Sequence, residues 1–297
     1  MNKIIAGIDI GGTSVKTGLF SPDMKLIHHC PGVNTGDHTS GESLVKAMLQ
    51  CVYKGLNELG LERSSLVGIG MGCPGPLDIA GGIVLETPNI SYLNGYPLRA
   101  EMSKLADLPV YLDNDANVFT LGEAVAGAAV GQPYVVGVTL GTGFGWGIVL
   151  NGKLFHGATG TAAEYGLSKF TENGITWEDR VSLRGLMASF TARGGKADSP
   201  KEVSQLAADG DEYALDAWAE YGSIMGLAIS HAVNLIDPHQ VVIGGTMSLA
   251  WDYFAPAMLK TLRANIFSLP RETLKVSPSL LGDEAALYGA ASLVESK

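Results

Sequence analysis

Residues 4–20 read IIAGIDIGGTSVKTGLF, and residues 137–150 read GVTLGTGFGWGIVL. The two stretches share one plan. An apolar run stops at a turn rich in glycine and threonine, Gly7-Ile-Asp-Ile-Gly-Gly-Thr13 in the first and Gly137-Val-Thr-Leu-Gly-Thr-Gly143 in the second. A return strand follows each turn, Lys16–Phe20 and Trp146–Leu150. Short apolar runs bounded by turn signals are read as buried strands. A unit that recurs in both halves predicts two related lobes facing one another, with a ligand between them that touches both turns.

The remaining segments fill out such lobes. Ile4–Ile10 and Val15–Phe20 are expected strands, with Lys25–Cys30 as a third. Glu42–Leu59 carries Leu44, Val45, Met48, Leu49, Val52 and Leu56 at helical spacing. Leu66–Met71 is another strand, and a helix ending at Ala106 is followed by a strand entered at Val110. A new helix, Ala116–Ala126, begins beside Asn114 or Asp115. Asn151-Gly152 is a strong hairpin signal before Lys153–Phe155. Tyr213–Ile236 is a long helix stopped by Asp237-Pro238, Gln240–Ile243 is a strand ending in Gly244-Gly245, and Asp283 is the expected N-cap of a last helix. The reading is an α/β chain with an N-terminal lobe over 1–115 and a C-terminal lobe over 116–283. The last helix, about 284–297, packs back on the first lobe.

Composition narrows the function. The 297 residues are too many for one small core and suit two packed lobes. Twenty basic against 30 acidic residues give a net charge of −10, which repels a phosphate backbone and disfavours a nucleic-acid partner. No apolar stretch is long enough to span a bilayer, and the N-terminus has no signal-peptide pattern. Cys30, Cys51 and Cys73 are odd in number and scattered, as in reduced cytoplasmic proteins rather than disulfide frameworks.

The turns carry candidate chemistry. In the first, Gly11 and Gly12 let backbone amides approach phosphate oxygens, Thr13 adds a hydroxyl, and Asp9 is placed to orient a hydrated Mg2+. Gly141, Thr142 and Gly143 repeat the arrangement. The bland reading of a single Gly-Gly turn is an ordinary hairpin; two in repeated contexts are harder to explain that way. Neither is a Walker loop, since no Gly-Lys-Ser/Thr follows, and neither is a dinucleotide fingerprint, since a strand follows instead of a helix. Gly244 and Gly245 could lie against an adenine or ribose, although alone they read as a plain strand-to-helix turn.

Leu112-Asp-Asn-Asp-Ala-Asn117 sets polar side chains at the end of an apolar strand. A hydroxyl attacking phosphorus needs a carboxylate to take its proton, and Asp115 is the choice. Its competing role is a helix N-cap. Asp113 is the rival base, although strand alternation turns it to the opposite face from Asn114. Asn89, in the rigid Thr87-Pro88-Asn89 turn, and the carboxylates Glu164 and Glu178 suit sugar hydroxyls. Each could equally be a solvated polar residue. None of the six histidines pairs with cysteine at metal-ligand spacing. His231 reads as a satisfied core or helix-face residue rather than a catalyst, and Trp177, Trp218 and Trp251 as packing.

Asp9-Ile-Gly-Gly-Thr13, Pro88-Asn89, Asn114-Asp115, Leu140–Gly166, Asp237-Pro238 with Gly244-Gly245, and Gly282-Asp283-Glu284-Ala285 together resemble the sugar kinases of the ROK family (repressors, open reading frames and kinases). The likeness runs from Ile5 to about Ala291. It implies the two-lobed actin-like, hexokinase-like ATPase fold, with ribonuclease H-like lobes and an active-site cleft. It further implies ATP as donor with Mg2+, a cytoplasmic homodimer, and a hexose or hexose derivative phosphorylated at its 6-hydroxyl by a glucokinase-like or N-acetylmannosamine kinase-like enzyme. By position, Asp115 matches the catalytic base; Asn89, Asn114, Glu164 and Glu178 match sugar ligands; and the first two glycine turns match the phosphate segments. The chain departs from the pattern at Leu167, where most members carry a zinc-binding His, and in Ser168–Thr176, which lacks their cysteine cluster. No zinc is therefore expected, and the less polar site expected there suits an N-acetyl or glycosidic substituent. Two other readings compete with the kinase. A sugar-responsive repressor would add a helix-turn-helix domain, for which eight residues ahead of Asp9 leave no room. A non-catalytic sugar-binding protein would not need Asp115, Glu164 and both turns.

Overall fold

The computed structural model describes residues 3–87 and 89–295, so Pro88 of the expected rigid turn lies outside the described residues. Strands β1 (Ile4–Ile10), β2 (Ser14–Phe20), β3 (Leu26–His29) and β4 (Val33–Asn34) lead into helix α1 (Gly41–Glu58) and strand β5 (Leu66–Cys73). A small hairpin, β6 (Leu77–Asp78) with β7 (Ile83–Val84), precedes α2 (Leu98–Ala106), β8 (Val110–Asn114) and α3 (Asp115–Val125). Strands β9 (Tyr134–Leu140), β10 (Phe144–Leu150) and β11 (Lys153–Leu154) open the second half. Helices α4 (Trp177–Arg180), α5 (Leu183–Ala192), α6 (Pro200–Ala208) and α7 (Glu212–Ile236) follow. The chain closes with β12 (Gln240–Gly244), α8 (Trp251–Ala264), α9 (Ser268–Thr273), β13 (Lys275–Pro278) and α10 (Ala285–Glu295).

The repeat read from the turns is a repeat of topology. One sheet runs β3-β2-β1-β5-β8 and the other β11-β10-β9-β12-β13. In both, an antiparallel hairpin carries the glycine turn, and the hairpin's first strand pairs in parallel with the next strand of the path. Each sheet has its own core. Ile8, Ile10, Val15, Ile69 and Met71 pack with Leu44, Met48 and Val52 of α1. Val136, Val138, Trp146 and Ile243 pack with Trp218, Tyr221, Met225 and Ile229 of α7 and Phe254 of α8. The opposite faces are covered by α10, which seats Leu287 and Ala291 on Ile5 and Phe20, and by α3, which seats Phe119 and Leu121 on Val135 and Val242. The two helices pack on each other between the sheets. Glycine makes that crossing possible. A Cβ on Gly289 would overlap the Val118 carbonyl, and one on Gly122 the Ala285 carbonyl.

Of the two residues offered at the start of α3, Asn114 is the N-cap and Asp115 the first helical residue. One sequence expectation shifts. Asp283 does not cap α10. It lies in a 3-10 turn, Gly282–Glu284, that leads into the helix, and its carboxylate pairs with Lys16 at 3.0 Å.

Candidate active site

The first glycine turn closes the β1–β2 hairpin, with the Gly11 N–H donating to Ser14 O at 3.0 Å. Buried Thr35 braces it from outside. The Thr35 hydroxyl donates to Gly12 O at 2.8 Å and its N–H to Thr13 O at 3.1 Å. The turn's carbonyls are thus tied down, while Gly12 and Thr13 stay exposed. Asn89 lies over the turn, since a Cβ on Gly12 would sit 3.0 Å from Asn89 Cβ. The second turn is closed by Gly141 N–H to Gly143 O at 3.1 Å and held by Leu183 N–H to Gly141 O at 2.9 Å. Glu178 reaches it, accepting from the Phe144 N–H at 3.2 Å. The third is brought alongside. Gly245 has φ 83°, a conformation glycine favours, and a Cβ there would strike the Leu140 backbone.

The β8–α3 junction sorts its polar residues by face, as strand alternation requires. Asp113 is buried, 3 % exposed, and fully employed. Its Oδ1 accepts from Asn117 Nδ2 at 2.8 Å and from the Asn114 N–H at 2.8 Å, and its Oδ2 lies 2.6 Å from His156 Nε2. That bond holds the His156 pKa above its usual value. Asn114 Oδ1 accepts from the Ala116 N–H at 2.9 Å, a bond shared with Asp115 Oδ1 at 2.8 Å. Burial raises the Asp115 pKa, opposed by hydrogen bonds from the Ala116 backbone and from Asn114.

Electrostatic coupling links the carboxylates across the two halves. Burial, then the charge of Asp115, lifts the Asp9 carboxyl to about 6; Lys16 pulls it down and Asp283 pushes it up. Glu164 keeps an exposed edge. Its carboxyl is nevertheless raised, first by burial and then by the charges of Asp115 and Glu178. Glu178 in turn is 3.3 Å from the Arg184 guanidinium. Asp9, Asp115, Glu164, Glu178 and both glycine turns therefore belong to one constellation. Perturbed carboxylate pKa values of this kind cluster at functional sites.

Lys16, Asp283, Thr35 and His156 were missed in the sequence. Lys16 had a signal: the hairpin register sets it opposite Asp9. The others act across long sequence separations. The zinc that the family resemblance implies for most members does not fit this chain. Leu167 is 63 % exposed. Among the described residues, no group of three or more His, Cys, Asp or Glu is arranged to hold a metal ion.

The model of the ROK family matches residues 5–297. The glucokinase of Halalkalibacterium halodurans is 28 % identical, covering 98 % of this chain and 94 % of its own. The N-acetyl-D-glucosamine kinase of Histophilus somni is 28 % identical, covering 98 % and 99 %. The crystal structure of a ROK family glucokinase from Streptomyces griseus, in complex with glucose and AMPPNP, superposes with a TM-score of 0.80 at 28 % identity over 98 % of both chains. The fold is thus the two-lobed, hexokinase-like ATPase fold.

Proposed function

The chain belongs to the ROK family, and from that premise we propose that it is an ATP-dependent hexose kinase. It transfers a phosphoryl group to the 6-hydroxyl of a hexose or hexose derivative, with Asp115 as general base. The observation that carries this reading is the β8–α3 junction. Of its two aspartates, Asp113 is consumed by Asn117 and His156. Asp115 is a carboxyl of raised pKa within Coulomb reach of Asp9 and Glu164.

Phosphoryl transfer asks for positioning and charge stabilisation more than covalent chemistry. Asn89, Asn114, Glu164 and Glu178 hold the sugar hydroxyls. Gly11, Gly12, Thr13, Gly141, Thr142 and Gly143 present amides and hydroxyls to the phosphates, with Lys16 as a nearby cation. Gly244 and Gly245 face the adenosine. As the sugar oxygen attacks the γ-phosphorus, its proton passes to the Asp115 carboxylate, whose raised pKa makes it a better acceptor than an ordinary aspartate. Mg2+ would come with the nucleotide, be oriented through water by Asp9 and neutralise phosphate charge; the Asp9 carboxyl is pushed up by burial and by the charges of Asp115 and Asp283, and a nearby cation would relieve that. The lobes meet near residues 115–116, and their closure excludes water, the competing acceptor.

ADP release with MgATP, measured across glucose, N-acetylglucosamine, N-acetylmannosamine, allose, fructose and a β-glucoside, tests the reading. At least one sugar should raise ADP release well above the sugar-free rate and yield a 6-phosphate by phosphorus NMR. Equal rates with and without every sugar would refute it.

A further inference from the structure

Glu164 and Glu178 stand at the two ends of one loop, and each adjoins an aromatic residue. Tyr165 follows Glu164, and Trp177 precedes Glu178. The Tyr165 and Trp177 rings stack, with centroids 5.6 Å apart and planes 25° from parallel. Trp146 of β10 meets Tyr165 edge-on at 5.2 Å, and Phe170 meets Trp177 edge-on at 4.8 Å. His231 of α7 stands against both: its Nδ1 is 2.6 Å from the Tyr165 hydroxyl, and its ring meets Trp177 edge-on at 5.4 Å. The loop is also cinched through its backbone. The Trp177 N–H donates to Ser168 O at 3.1 Å and the Phe170 N–H to Ile175 O at 2.6 Å. A metal cross-link is not available to this loop, because its sequence lacks the ligands. Offset and edge-on ring pairs have preferred geometries, so a stack of this kind holds orientation as well as contact.

We propose that the Tyr165–Trp177 stack, pinned to α7 by His231, is a positioning device that sets the separation of Glu164 and Glu178 and hence the grip on the sugar. The proposal rests on the reading of those two carboxylates as sugar contacts. Tyr165, Trp177 and His231 touch no substrate in this account; they act through their neighbours. The first glycine turn is braced separately by Thr35, so the device bears on the nucleotide half only where Glu178 meets the second turn at the Phe144 N–H.

Tyr165→Phe and His231→Phe each remove the hydroxyl–imidazole bond and keep a ring in place, and the double variant completes a cycle. Steady-state kinetics with the preferred hexose should show KM for the sugar raised about tenfold in each single variant, with KM for ATP within twofold of wild type. The double variant should be no worse than either single one, as for two ends of one bond. Wild-type hexose turnover with sugar KM unchanged in the variants, or with both KM values raised alike, overturns the brace alone. A wild type that phosphorylates no hexose overturns the kinase reading and the brace with it.

Discussion

Replacing Asp9 by asparagine should make the ligand-free protein more stable while removing its activity. The Asp9 carboxyl sits at a pKa of about 6 against an ordinary 3.8, because it is buried and faces Asp115 and Asp283. A raised acid pKa means that the folded chain holds a proton which the unfolded chain has released. Wild-type stability from this group therefore falls as pH rises from 3.8 to about 6, and the loss is complete above that. Keeping the ionised form folded at pH 7.5 costs about 3 kcal/mol, and roughly half of that is already present at pH 5. Asp9→Asn removes the charge and keeps the size. Urea unfolding at pH 7.5 should show the variant more stable by up to about 3 kcal/mol, and the advantage should shrink towards pH 5. In thermal unfolding the same change appears as about 2–4 °C per kcal/mol. On the proposed reading, in which Asp9 orients the Mg2+ of the nucleotide, the same preparation should also lose hexose-dependent ADP release. A variant less stable than wild type at pH 7.5, or a difference that does not change with pH, would refute the reasoning.

Three further outcomes follow from other contacts. Gly289→Ala should destabilise by about 1–3 kcal/mol in urea, because its methyl group meets the Val118 carbonyl at the α3–α10 crossing; a change below about 0.5 kcal/mol would mean the helices shift freely. Buried Glu123 accepts from the N–H groups of Ala128, Leu280 and Leu281 and from the Ser279 hydroxyl. Glu123→Gln turns a donor towards donors and should cost about 2–3 kcal/mol by the same assay, with an unchanged urea midpoint as the contrary result. A zinc-selective chelator, with Mg2+ in excess, should leave turnover unchanged; a loss restored by Zn2+ alone would contradict the absence of a ligand set in residues 167–176.

The glycine turns were legible because they are local. Strand, turn and return strand lie within 17 contiguous residues in the first copy. Their recurrence implies two related lobes, and the structure adds that the two sheets share one strand order. Asp113 and Asn114 could be assigned to opposite faces by alternation alone, and Asp113 does turn inward. What Asp113 meets there could not be read, since His156 lies 43 residues away. The Tyr165–His231 bond spans 66 residues and the Glu123 anchor more than 150. No periodicity records such pairings. They arise when two independently formed elements dock. Trp177 and Trp218 are the packing residues their sequence context suggests, and of the two places open to His231, core or helix face, it takes the exposed helix face. The service of Trp177 and His231 to the loop between Glu164 and Glu178 depends on tertiary geometry. Asp283 misled because a cap is the cheapest local use of an aspartate, while the ion pair with Lys16 exists only after α10 returns to the first sheet.

The general base is the centre of this account, and one comparison tests it most directly. Hexose-dependent ADP release is measured for the wild type and for Asp115→Asn, alongside equilibrium binding of the same sugar to each. The account predicts that turnover falls by about 100-fold or more, in line with loss of a general base, while the sugar still binds. Asp115→Asn turning over within a few-fold of wild type would contradict it and move the proton acceptor elsewhere.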